Sequence, residues 1–279
     1  MNAFKPLAIS QALTFNPTSL HCLGIFSKAI NLLSANQELW VLQRSGSGIS
    51  PMGVVLRSAD FNTLTQKLRV GDTLHLTDSA LYHPCFLLRL PARRITLTIP
   101  LLPHFPIQQL ETMLAASYHH TGLFGPLAQA WQQTPTPWLQ DLRANLQRWL
   151  TDQPYNFIPF IGLGPGLTPS SDDMLVGMMA LLHGDRRTRQ RMYQRPMLPP
   201  ALHTLTTSIS QSYLQHAVNG RFSSVLITLL QKLARSRGNP SQISRFLTLG
   251  HHSGADTLLG LVKAAHWLDD FYQRTDANA

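Results

Sequence analysis

The chain has 279 residues, room for one large domain or two ordinary ones. Apolar residues make up 44% and charged residues only 13%, which excludes a disordered chain and leaves a surface poor in solubilising charge, as a partner-covered face would be. The net charge of +9 is spread thinly except at Asp185–Arg195, where five arginines and one aspartate give 5 − 1 = +4. That short cluster lacks the Lys/Arg stripe of a nucleic-acid binder and reads as a solvated connection.

Two cysteines, Cys22 and Cys85, make neither a disulfide framework nor a metal quartet. The N-terminus lacks the basic, apolar and small-residue regions of a signal peptide. The most apolar stretch, 95–107, is broken by Pro100, Pro103 and Pro106 and is too short to span a bilayer. A cytoplasmic protein without membrane contact is expected.

Residues 37–99 read as short strands. Glu38–Leu42 and Gly53–Arg57 flank a loop containing Gly46-Ser47-Gly48, as a hairpin would. Further strands are expected at 73–77, 85–89 and 95–99, the last alternating apolar residues with threonine. Beyond the prolines the period turns helical. Ile107, Leu110, Met113 and Leu114 share one face, Pro126 can open a helix, and Leu139, Leu142, Leu146, Trp149 and Leu150 form a stripe. Helices are then expected at 171–183, 200–218, 222–235, 240–249 and 254–272. The fold class is α+β, with a β-rich domain over 1–105 and a mainly helical domain over 106–279.

One internal echo carries chemical information. Ser170 to Gly177 aligns without gaps on Ser253 to Gly260, 253 − 170 = 83 positions later, in the frame S-x-x-D-x-L-x-G. Capping alone accounts for Ser170, Asp173, Ser253 and Asp256: a serine at the N-cap and an acid in the first turn both suit a helix start. Capping does not account for Gly162-Leu163-Gly164-Pro165-Gly166-Leu167-Thr168-Pro169. Alternating glycines ahead of a helix N-terminus let backbone amides approach an anion. The loop lacks the lysine of a Walker A motif and is not G-x-G-x-x-G, so it fits a phosphate or carboxylate better than a nucleotide.

Thr121–Pro126 reads as a helix–helix connection, and Asn219-Gly220-Arg221 as a helix end followed by an arginine. Among twelve histidines, His119-His120 and His251-His252 are adjacent pairs that cannot easily face one ion. No H-E-x-x-H, C-x-x-C or G-x-S-x-G occurs. A metal site built from His251 with Asp173 or Asp256 is the competing reading.

Thr121–Ala128, Gly164–Ser170, Asp172-Asp173, Leu249-Gly250-His251 and Ser253–Gly260 together resemble the AllH-like family, a likeness extending from the Gly46-Ser47-Gly48 loop to Gly260. That resemblance implies one subunit of a three-subunit oxamate carbamoyltransferase of anaerobic allantoin breakdown, which converts oxalurate and phosphate into oxamate and carbamoyl phosphate. It implies two partner subunits, allows a homo-oligomer and calls for no cofactor. It assigns no catalytic residues. From the residues themselves, Asp173, Asp256 and His251 are expected to be catalytic. Gly164, Gly166, Thr168, Ser170, Ser253 and Arg221 are expected to bind phosphate or substrate, and no metal is expected. The rival readings are a non-catalytic scaffold subunit and a metal- or nucleotide-binding regulatory protein.

Overall fold

The structure is a computed structural model that describes residues 2–90, 92–103, 105–132, 136–235 and 240–277. It divides into two compact units, Met1–Thr98 with Phe222–Val225, and Ile99–Arg221 with Leu226–Ala279. The first is β-rich and the second helical, so the protein is α+β.

The first unit is built on strands β1 (Asn2–Phe4), β2 (Ala8–Ser10), β3 (Thr18–Ile25), β4 (Ala29–Ser34), β5 (Leu39–Arg44) and β6 (Gly53–Leu56), then helix α1 (Ser58–Lys67), then β7 (Thr73–Leu76), β8 (Ala80–His83), β9 (Phe86–Arg89) and β10 (Arg94–Ile95). They form one mixed sheet in the order β1-β9-β8-β7-β3-β4-β5-β6-β2-β10. Leu20, Ile30, Leu42, Val54 and Leu88 pack with Phe61 and Leu64 of α1 in a single apolar core.

The expected hairpin around Gly46-Ser47-Gly48 does not form, because β5 and β6 run parallel with Val41 opposite Gly53 and Arg44 opposite Leu56. The intervening residues instead cross back over the strand end. Gln43 Oε1 accepts the Ser50 amide (2.8 Å) and hydroxyl (3.2 Å), and the Gly53 amide donates to the Ser50 carbonyl at 2.9 Å. A Cβ on Gly53 would lie 2.2 Å from Gln43 Oε1, so this compact crossover requires glycine there. The expected strand over 95–99 shrinks to Arg94–Ile95, the edge of the sheet.

The second unit contains α2 (Ile107–Ala115), a two-residue ladder of β11 (His120–Thr121) with β12 (Gly125–Pro126), α3 (Leu127–Ala130), α4 (Pro137–Leu150), α5 (Ser170–Gly184), α6 (Arg189–Gln194), α7 (Ser208–Val218), α8 (Ser224–Ala234, whose first two residues belong to the other unit), α9 (Pro240–Leu247) and α10 (Ser253–Ala277). The α4 stripe of Leu139, Leu142, Leu146, Trp149 and Leu150 is buried, and Thr136 caps the helix by accepting the Leu139 amide at 3.3 Å. Residues 200–207, expected to be helical, are irregular, and α7 starts only at Ser208, behind its cap Thr207. The arginine run is a short helix rather than a plain solvated connection. Arg191 and Arg195 both pair with Asp152 (2.6 and 2.5 Å), and Arg187 pairs with Asp185 (2.6 Å). Its charge is largely spent within the chain.

Candidate anion-binding site

Helices α5 and α10 begin side by side because two glycines let them cross without side chains between them. A Cβ on Gly177 would lie 2.0 Å from the Thr257 carbonyl oxygen, and one on Gly260 would lie 2.0 Å from that of Met174. With the 83-residue offset these are the same contact made twice, since Met174 corresponds to Thr257 and Gly177 to Gly260. The exchange continues at the helix starts. Ser253 Oγ lies 2.9 Å from the Thr168 hydroxyl that donates to Asp173, and Ser170 Oγ packs beneath Gly122, whose amide donates to Asp256 at 3.0 Å. Each serine therefore sits beside the group that donates to the aspartate of the other copy. Ser170 does not cap α5 as expected: that helix has no side-chain cap, and Pro169 occupies the position.

Three of the four residues that open α5 hold the glycine loop. The Ser170 hydroxyl is 1% exposed, makes no aligned hydrogen bond, and packs beneath Gly122 and Gly164. Ser171 Oγ accepts the Leu163 amide at 2.8 Å while the Ser171 amide donates to the Leu163 carbonyl at 3.0 Å. Asp172 is fully buried and accepts from the Gly162 amide (2.7 Å), the Ser210 hydroxyl (2.6 Å) and the Thr206 hydroxyl. Asp173, 8% exposed, accepts from the Thr168 hydroxyl at 2.9 Å, and that hydroxyl is also 2.9 Å from Ser253 Oγ.

The loop from Gly162 to Thr168 is thus tied at both ends, and Thr207 adds a bond to the Leu167 carbonyl at 2.5 Å. Its middle is exposed, with Gly162, Gly164 and Gly166 all at left-handed φ of 80°, 102° and 98°, conformations that favour glycine. Among the described residues no acceptor pairs with the amides of Gly164, Gly166, Leu167 or Thr168. A fixed loop with unpaired amides at a helix N-terminus is an arrangement that binds anions.

Burial sets the charge state of the floor. It pushes the Asp173 carboxyl well above the ordinary carboxylate range, against the hydrogen bonds from Ser253 and Thr168, and the nearby Asp256 and Asp172 push the same way. Asp256 is raised from 3.8 to about 6, again chiefly by burial, opposed by Ser170, the Gly122 amide and His252. That amide donates to Asp256 Oδ1 at 3.0 Å. Gly122 therefore belongs to the site, although the sequence suggested only a connection between helices. A Cβ there would lie 1.9 Å from Ser170 Oγ.

The structure brings together Gly164, Gly166, Thr168, Ser170, Asp173, Ser253 and Asp256. It does not bring Arg221 to them. Arg221 follows the C-terminal end of α7, where its charge disfavours protonation of His216, whereas Ser210 in the first turn of α7 holds Asp172. Eleven residues of helix separate the two ends. The exposed His251 makes no contact with either aspartate among the described residues. Its Nδ1 lies 2.8 Å from His252 Nε2, and His252 Nδ1 donates to the His120 carbonyl at 2.9 Å. His252 is the histidine that influences Asp256. The adjacent pair offered no signal for choosing between them, since the choice depends on the turn at Gly250 (φ 64°). Thr206 and Ser210 were missed because lone hydroxyl residues carry no motif.

Among the described residues no group of three or more His, Cys, Asp or Glu is placed to hold a metal ion. No helix there is long and apolar enough to cross a membrane. A cavity of about 350 Å³ lies at the other end of α5, lined by Leu102, Phe105, Leu181, Arg187, Leu268 and Asp269, and holds none of the expected site residues.

A glycine loop ahead of two mutually packed helix starts, joined in one chain to a β-rich unit, defines the class. The chain belongs to the AllH family: residues 8–97 match the AllH family N-terminal domain, and residues 160–265 match oxamate carbamoyltransferase subunit AllH. The second match contains both S-x-x-D-x-L-x-G segments and the glycine loop. No solved structure matches the chain.

Proposed function

We propose that this chain is the phosphate-handling subunit of a cytoplasmic oxamate carbamoyltransferase complex, working with two other protein subunits in allantoin and purine nitrogen catabolism. The observation that carries this reading is the exposed Gly164–Thr168 segment, fixed at both ends with its amides unpaired. In the forward direction a phosphate oxygen attacks the carbamoyl carbon of oxalurate. A C–O bond forms, the C–N bond to the oxamate nitrogen breaks, and that nitrogen takes a proton, giving oxamate and carbamoyl phosphate.

Such a transfer depends mainly on positioning and on stabilising negative charge. The amides of Gly164, Gly166 and Thr168 hold the phosphate. Asp173 and Asp256 lie beneath the loop as positioning residues. Burial favours the neutral form of Asp173, which removes the repulsion that a charged carboxylate would exert on a dianion. In this reading His251, exposed and bonded to His252, carries the proton to the leaving nitrogen. Arg221 has no role in this reading.

The test is reconstitution with the partner subunits, oxalurate and phosphate. The expected result is carbamoyl phosphate from the complex, none from the chain alone, and a raised phosphate KM in a Gly166→Ala complex. An unchanged phosphate KM in that variant would favour a scaffold subunit whose glycine loops serve packing.

A further inference from the structure

The two copies of the S-x-x-D-x-L-x-G frame are not equivalent, and their difference separates residues that serve the fold from residues that serve the loop. The positions they share bring α5 and α10 together: Gly177 and Gly260 at the crossing, Asp173 and Ser253 through Thr168, and Ser170 and Asp256 against Gly122. Between the shared serine and aspartate the copies differ: Ser171-Asp172 in the first stand where the second has Gly254-Ala255. Gly254 has no room for a side chain, since a Cβ there would lie 2.5 Å from the Phe246 carbonyl oxygen. The helix pairing thus forms with no polar side chain at these two positions of the second copy.

In the first copy the same two side chains bond outside α5, and both reach the glycine loop. Ser171 holds Leu163, and Asp172 holds Gly162. Asp172 is itself held by the Ser210 hydroxyl at 2.6 Å and by that of Thr206, on and just before α7. The loop has no slack at this point, because a Cβ on Gly162 would lie 2.1 Å from the Leu205 carbonyl oxygen.

We infer that Asp172 and Ser171 are positioning residues for the anion, with Thr206 and Ser210 fixing Asp172 from behind. None of the four touches the bound anion. They set the direction of the amides at Gly164, Gly166 and Thr168 by holding the preceding two residues, and preorganised donors of this kind need no rearrangement when charge arrives. The inference rests on the phosphate reading of the loop.

Three variants test it: Ser171→Ala, Thr206→Val and Asp172→Asn. Inorganic phosphate is titrated into the chain by calorimetry, melting temperature is followed, and KM for phosphate and for oxalurate is measured in the reconstituted complex. Loss of one hydrogen bond to a charged group should raise phosphate Kd and KM about tenfold in Asp172→Asn, and several-fold in the other two, with oxalurate KM within about twofold. Thr206→Val is the most telling variant, since its hydroxyl touches the carboxylate and not the loop. Variants that melt earlier yet keep wild-type phosphate Kd and KM would overturn the inference and leave Asp172 a structural acid. Should Asp172→Asn fail to fold, Ser171→Ala and Thr206→Val decide alone. A wild-type complex that consumes oxalurate without any dependence on phosphate would instead sink the underlying reading of the loop.

Discussion

Gly177 of α5 and Gly260 of α10 stand in mirrored contacts, each with a backbone carbonyl of the other helix where a side chain would be. The neighbours are backbone atoms, so they cannot rotate aside as a flexible side chain could. Gly260→Ala would place its Cβ 2.0 Å from the Met174 oxygen and force the helices apart at the level of Asp173 and Asp256. The expected cost is about 3 kcal/mol, the upper end for overpacking a well-filled core. Chemical denaturation measures it; a loss no larger than that of an exposed-helix alanine substitution would show that the crossing is loose.

The floor carboxylates should make the protein less stable as pH rises. Asp256 titrates at about 6 in the folded chain, above its ordinary 3.8, so the folded state binds the proton more tightly than the unfolded one. Its favourable contribution is complete below about pH 4 and is lost as pH climbs through about 6, a swing on the order of 3 kcal/mol. Asp173 acts in the same direction. Asp256→Asn should flatten denaturation midpoints between pH 4 and 7 relative to the parent chain. A parallel pair of profiles would refute the assignment.

Two histidines, buried His183 and half-buried His216, work in the opposite sense. Burial lowers His183 and His216 from 6.5 to about 4, with Arg189 and Arg221 respectively adding to the effect. Each group is neutral when folded, so its contribution is present above pH 6.5 and is lost as pH falls through about 4. His216→Gln, which keeps the size of the side chain without the titration, should lessen the acid-side loss by an amount on the order of 3 kcal/mol. Equilibrium unfolding at pH 4.5 and 7 in both proteins gives the comparison.

The fold class and the floor of the site were legible because they rest on local patterns. The α4 stripe, the start of α5 and the repeated S-x-x-D-x-L-x-G frame are written in contiguous residues. What was hidden depends on pairing between distant segments. The parallel run of β5 and β6 follows from Gln43 gripping Ser50, and nothing in the Gly46-Ser47-Gly48 sequence separates that crossover from a hairpin tip. β4 reads poorly because Ala29–Ser34 is buried on both faces of the sheet and shows no alternation. At the site, the actual neighbours of Ser170 and Ser253 could not be read because each serine also suits its own helix as a cap. Gly122 contributes through its backbone amide, which every residue type but proline carries, so its identity did not signal the contact.

Gly166→Ala separates binding from stability. The residue is exposed, and an added Cβ would meet nothing closer than the Thr168 carbonyl oxygen at 3.6 Å, so only its left-handed φ of 98° resists substitution. That strain, about 1–2 kcal/mol for a non-glycine residue, is relieved by turning the local backbone and its amide. Phosphate affinity should therefore fall about tenfold or more while the denaturation midpoint shifts little. A variant that binds phosphate like the parent would remove Gly166 from the cradle.

Gly122→Ala tests whether the Thr121–Pro126 loop is part of the same site. The added Cβ would lie 1.9 Å from Ser170 Oγ and 3.2 Å from two carbons of the Pro165 ring, so it presses on the first turn of α5 and on the glycine loop together. Displacing the loop also pulls the Gly122 amide from Asp256, leaving a buried carboxylate short of a donor. A loss of about 1–3 kcal/mol is expected, with weaker phosphate binding. The nearest obstacle is a single hydroxyl, so removing it should restore much of the loss. Ser170→Ala on its own removes a buried hydroxyl that makes no hydrogen bond, and is expected to change stability little. In the Gly122→Ala, Ser170→Ala double variant the clash is gone, and stability should exceed that of Gly122→Ala alone. The double-mutant cycle should therefore give a favourable coupling energy of about 1 kcal/mol. Strictly additive effects would mean that Gly122 and Ser170 do not meet, and the loop would drop out of the site.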